Sequence, residues 1–580
     1  MQHAKVAIRA VLISALAVSS VAIVAVSASV SHAAAAMVYY VAPGGSDSAA
    51  GTQAAPWASI AHAQSVAVGG DTVYFRGGTY AYSQANSSCA SQTARVDAIT
   101  LSKSGSSGSP IHYWAYPGEK PVFDFSRMTD DCRIKGFDVT GSYLYLKGLE
   151  VTGVRQNNNL NHESWGIWVS GSNNTFELIN AHNNMGPGLF IQNGGGNLVL
   201  NSDSHDNYDT LTSNGAGESA DGFGAHISAG HPGNVFRGCR AWNNSDDGFD
   251  LISAYSSVLI ENSWAWHNGY VPGTSTAAGN GNGFKAGGYG GTYDAGAVKH
   301  TVRTSVAFAN RSAGFYANHH PLADDFFNNT GYANHPDFNM LGIDSSGAAV
   351  GRGTLRNNIA YGGTLTSNMS GTDAAYNSWN LGVTLSDSQF QSVSTAGWDA
   401  ARQADGSLPV LPSLHLAANS TLIDKGTNVG LPYQGNAPDL GAFEQPGATS
   451  AAQRYEAETA PAVCQGTIDT NQAGFSGTGF CNGSAAMGAY AQFTVNASTA
   501  GTTALGVRFA NGASSGTARP ANLIVNGSTV ATVSFESTGP WTTWSTKALT
   551  VALNAGSNTI RLDPTTADGL PNVDYLDVGV

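Results

Sequence analysis

The sequence predicts an all-β chain: a parallel β-helix followed by a small antiparallel β-sandwich. Three observations lead there. First, 71 glycines in 580 residues, abundant Asn, Ser and Thr, and only 11% charged residues suit short strands separated by many turns. Second, related tetrapeptides recur through the middle of the chain: A-H-N-N, S-H-D-N, A-W-N-N, A-W-H-N, A-F-A-N and G-Y-A-N. They close on Asn184, Asn207, Asn244, Asn268, Asn310 and Asn334. Third, the pattern changes after Arg454 to short alternating runs such as A-Y-A-Q-F-T-V (489–495) and N-V-D-Y-L-D-V (572–578), which read as sandwich strands. The length alone implies two or more domains with sizeable cores.

The N-terminus carries Lys5 and Arg9, an apolar run from Ala10 to about Val30, and small residues through Ala36. This pattern predicts a signal peptide over 1–36 and a secreted, extracellular product, with a retained membrane anchor as the alternative. No later stretch is long and apolar enough to span a bilayer. The formal net charge of −14 argues against nucleic acid and anionic membranes as partners. It also sets a requirement: an acidic ligand would need positive charge supplied at its site. In an exported protein the five cysteines can pair. Cys464 with Cys481 closes a short loop, Cys89 with Cys132 is a plausible second bridge, and Cys239 is left as a buried thiol on an apolar strand position.

Taken in order, P-W-A-S-I-A-H-A-Q (56–64) reads as one short amphipathic helix and G-G-D-T-V-Y-F-R-G-G-T-Y (69–80) as strand and turn. This opening resembles the N-terminal cap of secreted right-handed parallel β-helix proteins that act on polysaccharides. Such a cap covers the open edge of the first coil. The six Asn then follow in steps of 23, 37, 24, 42 and 24 residues. A period of 23–24 fits one coil per repeat, with loops inserted in two coils. One Asn per coil predicts a stacked Asn ladder that satisfies turn backbone groups, although Asn is also simply common in turns. After Tyr361 the repeats decay. P-D-L-G-A-F-E (438–444) resembles the closing strand of such domains. The predicted boundaries are a β-helix over 37–445, a linker over 446–453 and the sandwich over 454–580.

The ladder sets a register for the polar–Gly–Phe segments that follow it. A-D-G-F (220–223), S-D-D-G-F-D (245–250) and G-N-G-F-K (281–285) then align. Asp221, Asp247 and Asn282 share one column, and Asp250 and Lys285 share another. Neighbouring parallel strands lie roughly 4.8 Å apart, and side chains two apart on a strand face the same way. So Asp221, Asp247 and Asp250, with Asp246 beside them, could surround one ion, with Lys285 one coil further along. The two long steps precede Asp221 and Lys285, which places loops beside this face. Acidic residues also cap solvated turns, and D-D-G alone is a weak turn signal; the shared column is what favours a site.

Oxygen ligands without Cys or a His pair favour calcium over zinc. Lys285 could act as a base only when neutral. Calcium would lower its pKa and the carboxylates would raise it. A metal and a lysine base together suit β-elimination in a C4-linked uronic-acid polymer. The base removes the C5 proton while the metal neutralises the C6 carboxylate. This would meet the charge requirement. Hydrolysis would want two carboxylates flanking the bond, and a non-catalytic glycan-binding surface would need no base.

A-D-G-F, N-V-F-R-G-C-R-A-W-N-N-S-D-D-G-F-D and G-N-G-F-K-A-G-G resemble polysaccharide lyase family 9, the calcium-dependent pectate lyases, over roughly residues 37–445. The resemblance implies a right-handed parallel β-helix, catalytic calcium on Asp221, Asp246, Asp247 and Asp250, and Lys285 as the base. It implies polygalacturonate, an acidic plant cell-wall polysaccharide, as the partner of a monomeric enzyme. Family members also include a lyase of a bacterial sheath glycan, so the reaction is better defined than the substrate. R-Y-E-A-E (454–458) and the terminal N-V-D-Y-L-D-V resemble carbohydrate-binding module families 6 and 35. That resemblance implies a structural calcium on Glu456, Glu458 and Asp577, and sugar contacts by Tyr490, Trp541 and Asn572.

Overall fold

A computed structural model of the chain describes residues 36–83, 94–156, 163–212, 215–445, 453–497, 501–513 and 517–579. The expected signal segment, except Ala36, and linker residues 446–452 lie outside them, as does Cys89. Among the described residues no helix is long and apolar enough to cross a membrane.

Three parallel sheets of twelve, ten and ten strands run side by side along the first module. Each coil contributes one short strand to each sheet. One coil, for example, supplies Thr175–Glu177 to the first sheet, Asn180–His182 to the third and Leu189–Ile191 to the second. The interior is a stack of like side chains. Phe223, Phe249 and Phe284 of the polar–Gly–Phe segments continue into Phe315 and Phe338 as one stack, with successive ring centroids 5.1, 4.8, 5.0 and 4.8 Å apart. Each ring is fully buried, worth about 1.5–3 kcal/mol by transfer from water.

The Asn ladder is present in all six coils. Each rung amide donates to the side-chain oxygen of the next Asn, from Asn184 to Asn207 at 3.0 Å through to Asn310 on Asn334 at 2.9 Å. The residue before each rung has φ between 50° and 54°. That left-handed bend explains why Asn183, Asp206, Asn243 and His267 hold that position, since these residue types tolerate it best. A second ladder, Asn174–Asn197–Asn234, escaped the sequence reading.

The N-terminal cap is built as expected. Val38–Val41 pairs with Thr72–Phe75, and the helix is Ile60–Val66, with the Ser59 hydroxyl accepting from the His62 amide. The expected closing strand at 438–444 is not a strand. The last first-sheet strand is Asp373–Ala375, and the chain beyond it forms a long irregular strap. The strap runs back outside the third sheet. Arg240 donates to the carbonyls of Trp398 and Ala400, and Arg402 pairs with Asp203 at 2.7 Å. It then returns, so that Asn328 donates to Asp439 O and Ala442 N to the Thr330 hydroxyl. Leu440 packs with Ile359, Phe390, Leu416 and Leu422. Apolar residues of the strap seal the outer face of the third sheet, Trp398, Leu408 and Leu414 packing with Trp264, Trp266, Val306 and Phe308.

The second module is antiparallel, with sheets of six and five strands around one core. Cys464 and Cys481 are disulfide-bonded, and Cys239 is a buried free thiol pushed up to about 12 by burial.

Candidate active site

One column on the outer face of the second sheet carries the acidic cluster. Gly224 pairs with Asp250, Asp250 with Lys285, and Lys285 with Tyr316. Asp221, Asp246 and Asp247 lie just before the strands Phe223–Ala225 and Phe249–Asp250. Backbone amides then fix the carboxylates. Asp247 N donates to Asp221 at 3.1 Å, Asn280 N to Asp246 at 2.6 Å, Asn282 N to Asp247 at 2.6 Å and Ile252 N to Asp250 at 2.7 Å. Lys285 Nζ sits 2.9 Å from Asp250 and 3.1 Å from Asp247. All five residues are less than a tenth exposed.

One ammonium does not balance four carboxylates. Burial and mutual repulsion hold Asp221 and Asp246 well above the usual carboxylate range, and Asp247 is raised despite its contact with Lys285. Burial alone would lower Lys285, but Asp250, Asp247, Asp246 and Asp221 together push it well above the ordinary lysine value. In this state Lys285 is charged and cannot accept a proton.

The donor set fits a hard cation. Asp221, Asp247 and Asp250 each offer an oxygen within 4.8 Å of the others, the one such group among the described residues. Asp247 Oδ2 is buried and accepts no hydrogen bond, its approach to Lys285 being poorly angled for one. Asp246 lies outside that triad but contributes to its field. The loops of the two long steps stand beside the cluster and touch: Asn280 donates to Glu218 at 2.6 Å. His226, which sequence reading missed, is neutralised by burial and lies 3.9 Å from Asp250.

In the second module the structure brings Glu456 and Glu458 together, but with Asp574 rather than Asp577. The Ser476 hydroxyl donates to Glu456 at 2.7 Å, its amide donates to Asp574 at 3.0 Å, and Thr478 N donates to Glu458. Asp577 instead forms a two-pronged pair with Arg454 at 2.8 and 2.9 Å, while Asp574 is paired with Arg508 at 2.6 Å through one oxygen and takes the Ser476 amide on its carboxylate. Tyr490 has the Arg561 guanidinium on its ring at 3.5 Å, and half-buried Trp541 has Arg519 at 5.3 Å. Asn572 is buried in the strand beside Ala510.

A parallel β-helix with a lysine set among carboxylates on one outer sheet face is the build of a polysaccharide lyase, and comparison with known proteins agrees. The family described as "Pel9A-like, right handed beta helix region" matches residues 39–358. Pectate lyase L of Dickeya chrysanthemi is 41% identical over 416 residues, 70% of this chain and 90% of that protein. The solved structure of pectate lyase Pel9A is 38% identical with a TM-score of 0.60, covering 70% of this chain and 96% of that one. A solved rhamnogalacturonan lyase is 36% identical with a TM-score of 0.62, covering 66% and 96%. The chain belongs to the Pel9A-like family of polysaccharide lyases. Its second module matches carbohydrate-binding module family 35 over residues 453–580, which narrows the expected pair of module families to one.

Proposed function

We propose that this protein is a secreted, monomeric pectate lyase that cleaves polygalacturonate by calcium-assisted β-elimination. Asp221, Asp246, Asp247 and Asp250 would hold the calcium, which supplies positive charge against the C6 carboxylate of the substrate. Lys285 must first give up its own proton, a shift that calcium among the carboxylates would favour, and its neutral Nζ would then take the proton from C5. The C5–H electron pair becomes the C4–C5 double bond, and the C4–O bond breaks with its pair leaving on oxygen, which takes up a proton. The backbone amides on the four carboxylates keep them fixed, so little rearrangement is needed as charge develops. The observation that carries this reading is Lys285 Nζ within 3.1 Å of two buried carboxylates on an outer sheet face. An ion pair there without chemistry would be costly to bury.

The second module would hold sugar polymers near the site, with Tyr490, Trp541 and Asn572 as candidate contacts. Glu456 and Glu458, now with Asp574, are its candidates for a structural calcium. A second substrate reading, rhamnogalacturonan, is favoured by the likeness to a rhamnogalacturonan lyase. The test is ultraviolet absorbance of unsaturated product on both polymers, with calcium or chelator, for wild type and Lys285→Ala. Calcium-dependent product from polygalacturonate, lost in Lys285→Ala, is the expected result. Product that survives both chelator and the substitution would overturn the mechanism.

A further inference from the structure

Charge on the N-terminal end of the second sheet's outer face is paired with one exception. Arg133 meets Glu163 at 3.0 Å, and Lys135 meets Asp138 at 2.7 Å and Asp97 at 3.3 Å. Arg95, the register partner of Arg133, is exposed and has no ion-pair partner among the described residues. Its guanidinium lies 5.0 Å from the ring of Trp168 and 5.8 Å from that of Trp165, both rings being buried.

From there a row of rings leads to the acidic cluster. Trp168 stacks on Phe190 at 5.3 Å, Phe190 meets His226 edge-on at 4.6 Å, and His226 lies 3.9 Å from Asp250. Trp168, Phe190, Gly224, Asp250 and Lys285 are successive partners in one column. A Cβ on Gly224 would come within 2.6 Å of the Phe190 ring, so glycine is what lets this row close up. Four ladder steps separate the strands of Trp168 and Lys285, roughly 19 Å at about 4.8 Å each.

We propose that Arg95, steadied over Trp168, is a remote subsite for the carboxylate of a uronate residue in the same polymer chain that occupies the cluster. This rests on the lyase reading above. A guanidinium over an indole ring, which Arg95 shares with Lys135 at 5.0 Å, can keep its in-plane donors for a two-pronged carboxylate contact, and Lys135 is already taken by Asp138 and Asp97. The column of the cluster continues through Asp138 to Thr100, five residues along the strand from Arg95, but the Arg95 side chain reaches back to the Trp168 ring, and on a protein of net charge −14 an unpaired cation beside the row of rings marks the path of an anionic chain. The subsite is too far from Lys285 for a short oligosaccharide held at the cluster to reach.

The test compares wild type, Arg95→Gln and Arg95→Lys, as the full chain with calcium, on long polygalacturonate and on trigalacturonate. If wild type acts on rhamnogalacturonan instead, the same comparison is made on long and short forms of that polymer. For Arg95→Gln, KM on polymer should rise about tenfold at low salt with kcat unchanged, and trimer kinetics should not change. Arg95→Lys, which keeps charge but not the planar fork, should fall between. Polymer binding to Lys285→Ala, with and without Arg95→Gln, reads the same contact without turnover and should weaken similarly. An unchanged KM and affinity for polymer, with matching thermal midpoints, would overturn the subsite and leave Arg95 as a cover for Trp168. An equal rise in KM on trimer would also overturn it. A wild type that forms no unsaturated product from any uronate polymer would instead overturn the lyase reading.

Discussion

Replacing Lys285 by Met keeps the volume of the side chain and removes the one cation that faces four buried carboxylates. Breaking a buried pair by deleting one partner costs about 3–5 kcal/mol. Here part of that cost is offset, because the carboxylates can take up protons. Asp221, Asp246 and Asp247 are already raised in the fold, whereas unfolded aspartate titrates near 3.9. They therefore bind more protons folded than unfolded, and their contribution is lost as pH rises through the folded values. In chelator at pH 8, Lys285→Met should lose about 3–5 kcal/mol relative to wild type. The deficit should shrink toward pH 5. Calcium at about a hundred times the wild-type dissociation constant adds about 2.7 kcal/mol by linkage, and at that same calcium concentration the gain should be larger in the variant, where no ammonium competes. Urea unfolding, followed on the β-helix transition at constant m-value, gives each quantity. Equal midpoints for wild type and variant in chelator at pH 8 would refute the argument, as would a deficit that grows as pH falls.

Three further outcomes follow from the same geometry. Asp247→Asn keeps the hydrogen bonds from Asn282 in shape but removes charge from the triad, so calcium affinity measured by calorimetry should fall at least tenfold. Asn268→Ala deletes four side-chain hydrogen bonds in the ladder and leaves buried amides unpaired. Its urea midpoint should drop by the equivalent of about 3 kcal/mol. Gly224→Ala drives a methyl into the Phe190 ring. It should lower activity by displacing the row of rings beside Asp250, with a stability loss of about 1–3 kcal/mol read in the same unfolding assay.

The acidic cluster was legible in sequence because the Asn ladder fixes register. Asn207, Asn244 and Asn268 mark successive coils, and the Gly-Phe pairs that follow them, after an inserted loop in two of the three coils, bring Asp221, Asp247 and Asn282 into one column. The second ladder was equally legible, since Asn174, Asn197 and Asn234 advance by the same steps as Asn184, Asn207 and Asn244, but only one series was sought. Asp574 could not be told from Asp577 because the strand Asn572–Val578 is buried along its whole length. Alternation between wet and dry faces, which ordinarily tells neighbours apart, is absent there. The strap was misread for a different reason. Its apolar residues contact a distant sheet with no fixed spacing, so neither period 2 nor period 3.6 marks it. Arg95 was invisible because its importance lies in lacking a partner, which only an inventory of charges in space reveals.

The strap also changes how the coil stack comes apart. Stacked repeats touch only their neighbours and can fray one at a time from a free end. Here Arg402 reaches Asp203 across 199 residues, and Asn328 reaches Asp439 across 111. The outer coil at the C-terminal end cannot peel away without also stripping the cover from coils near the middle. Unfolding of these coils is thereby made collective rather than stepwise.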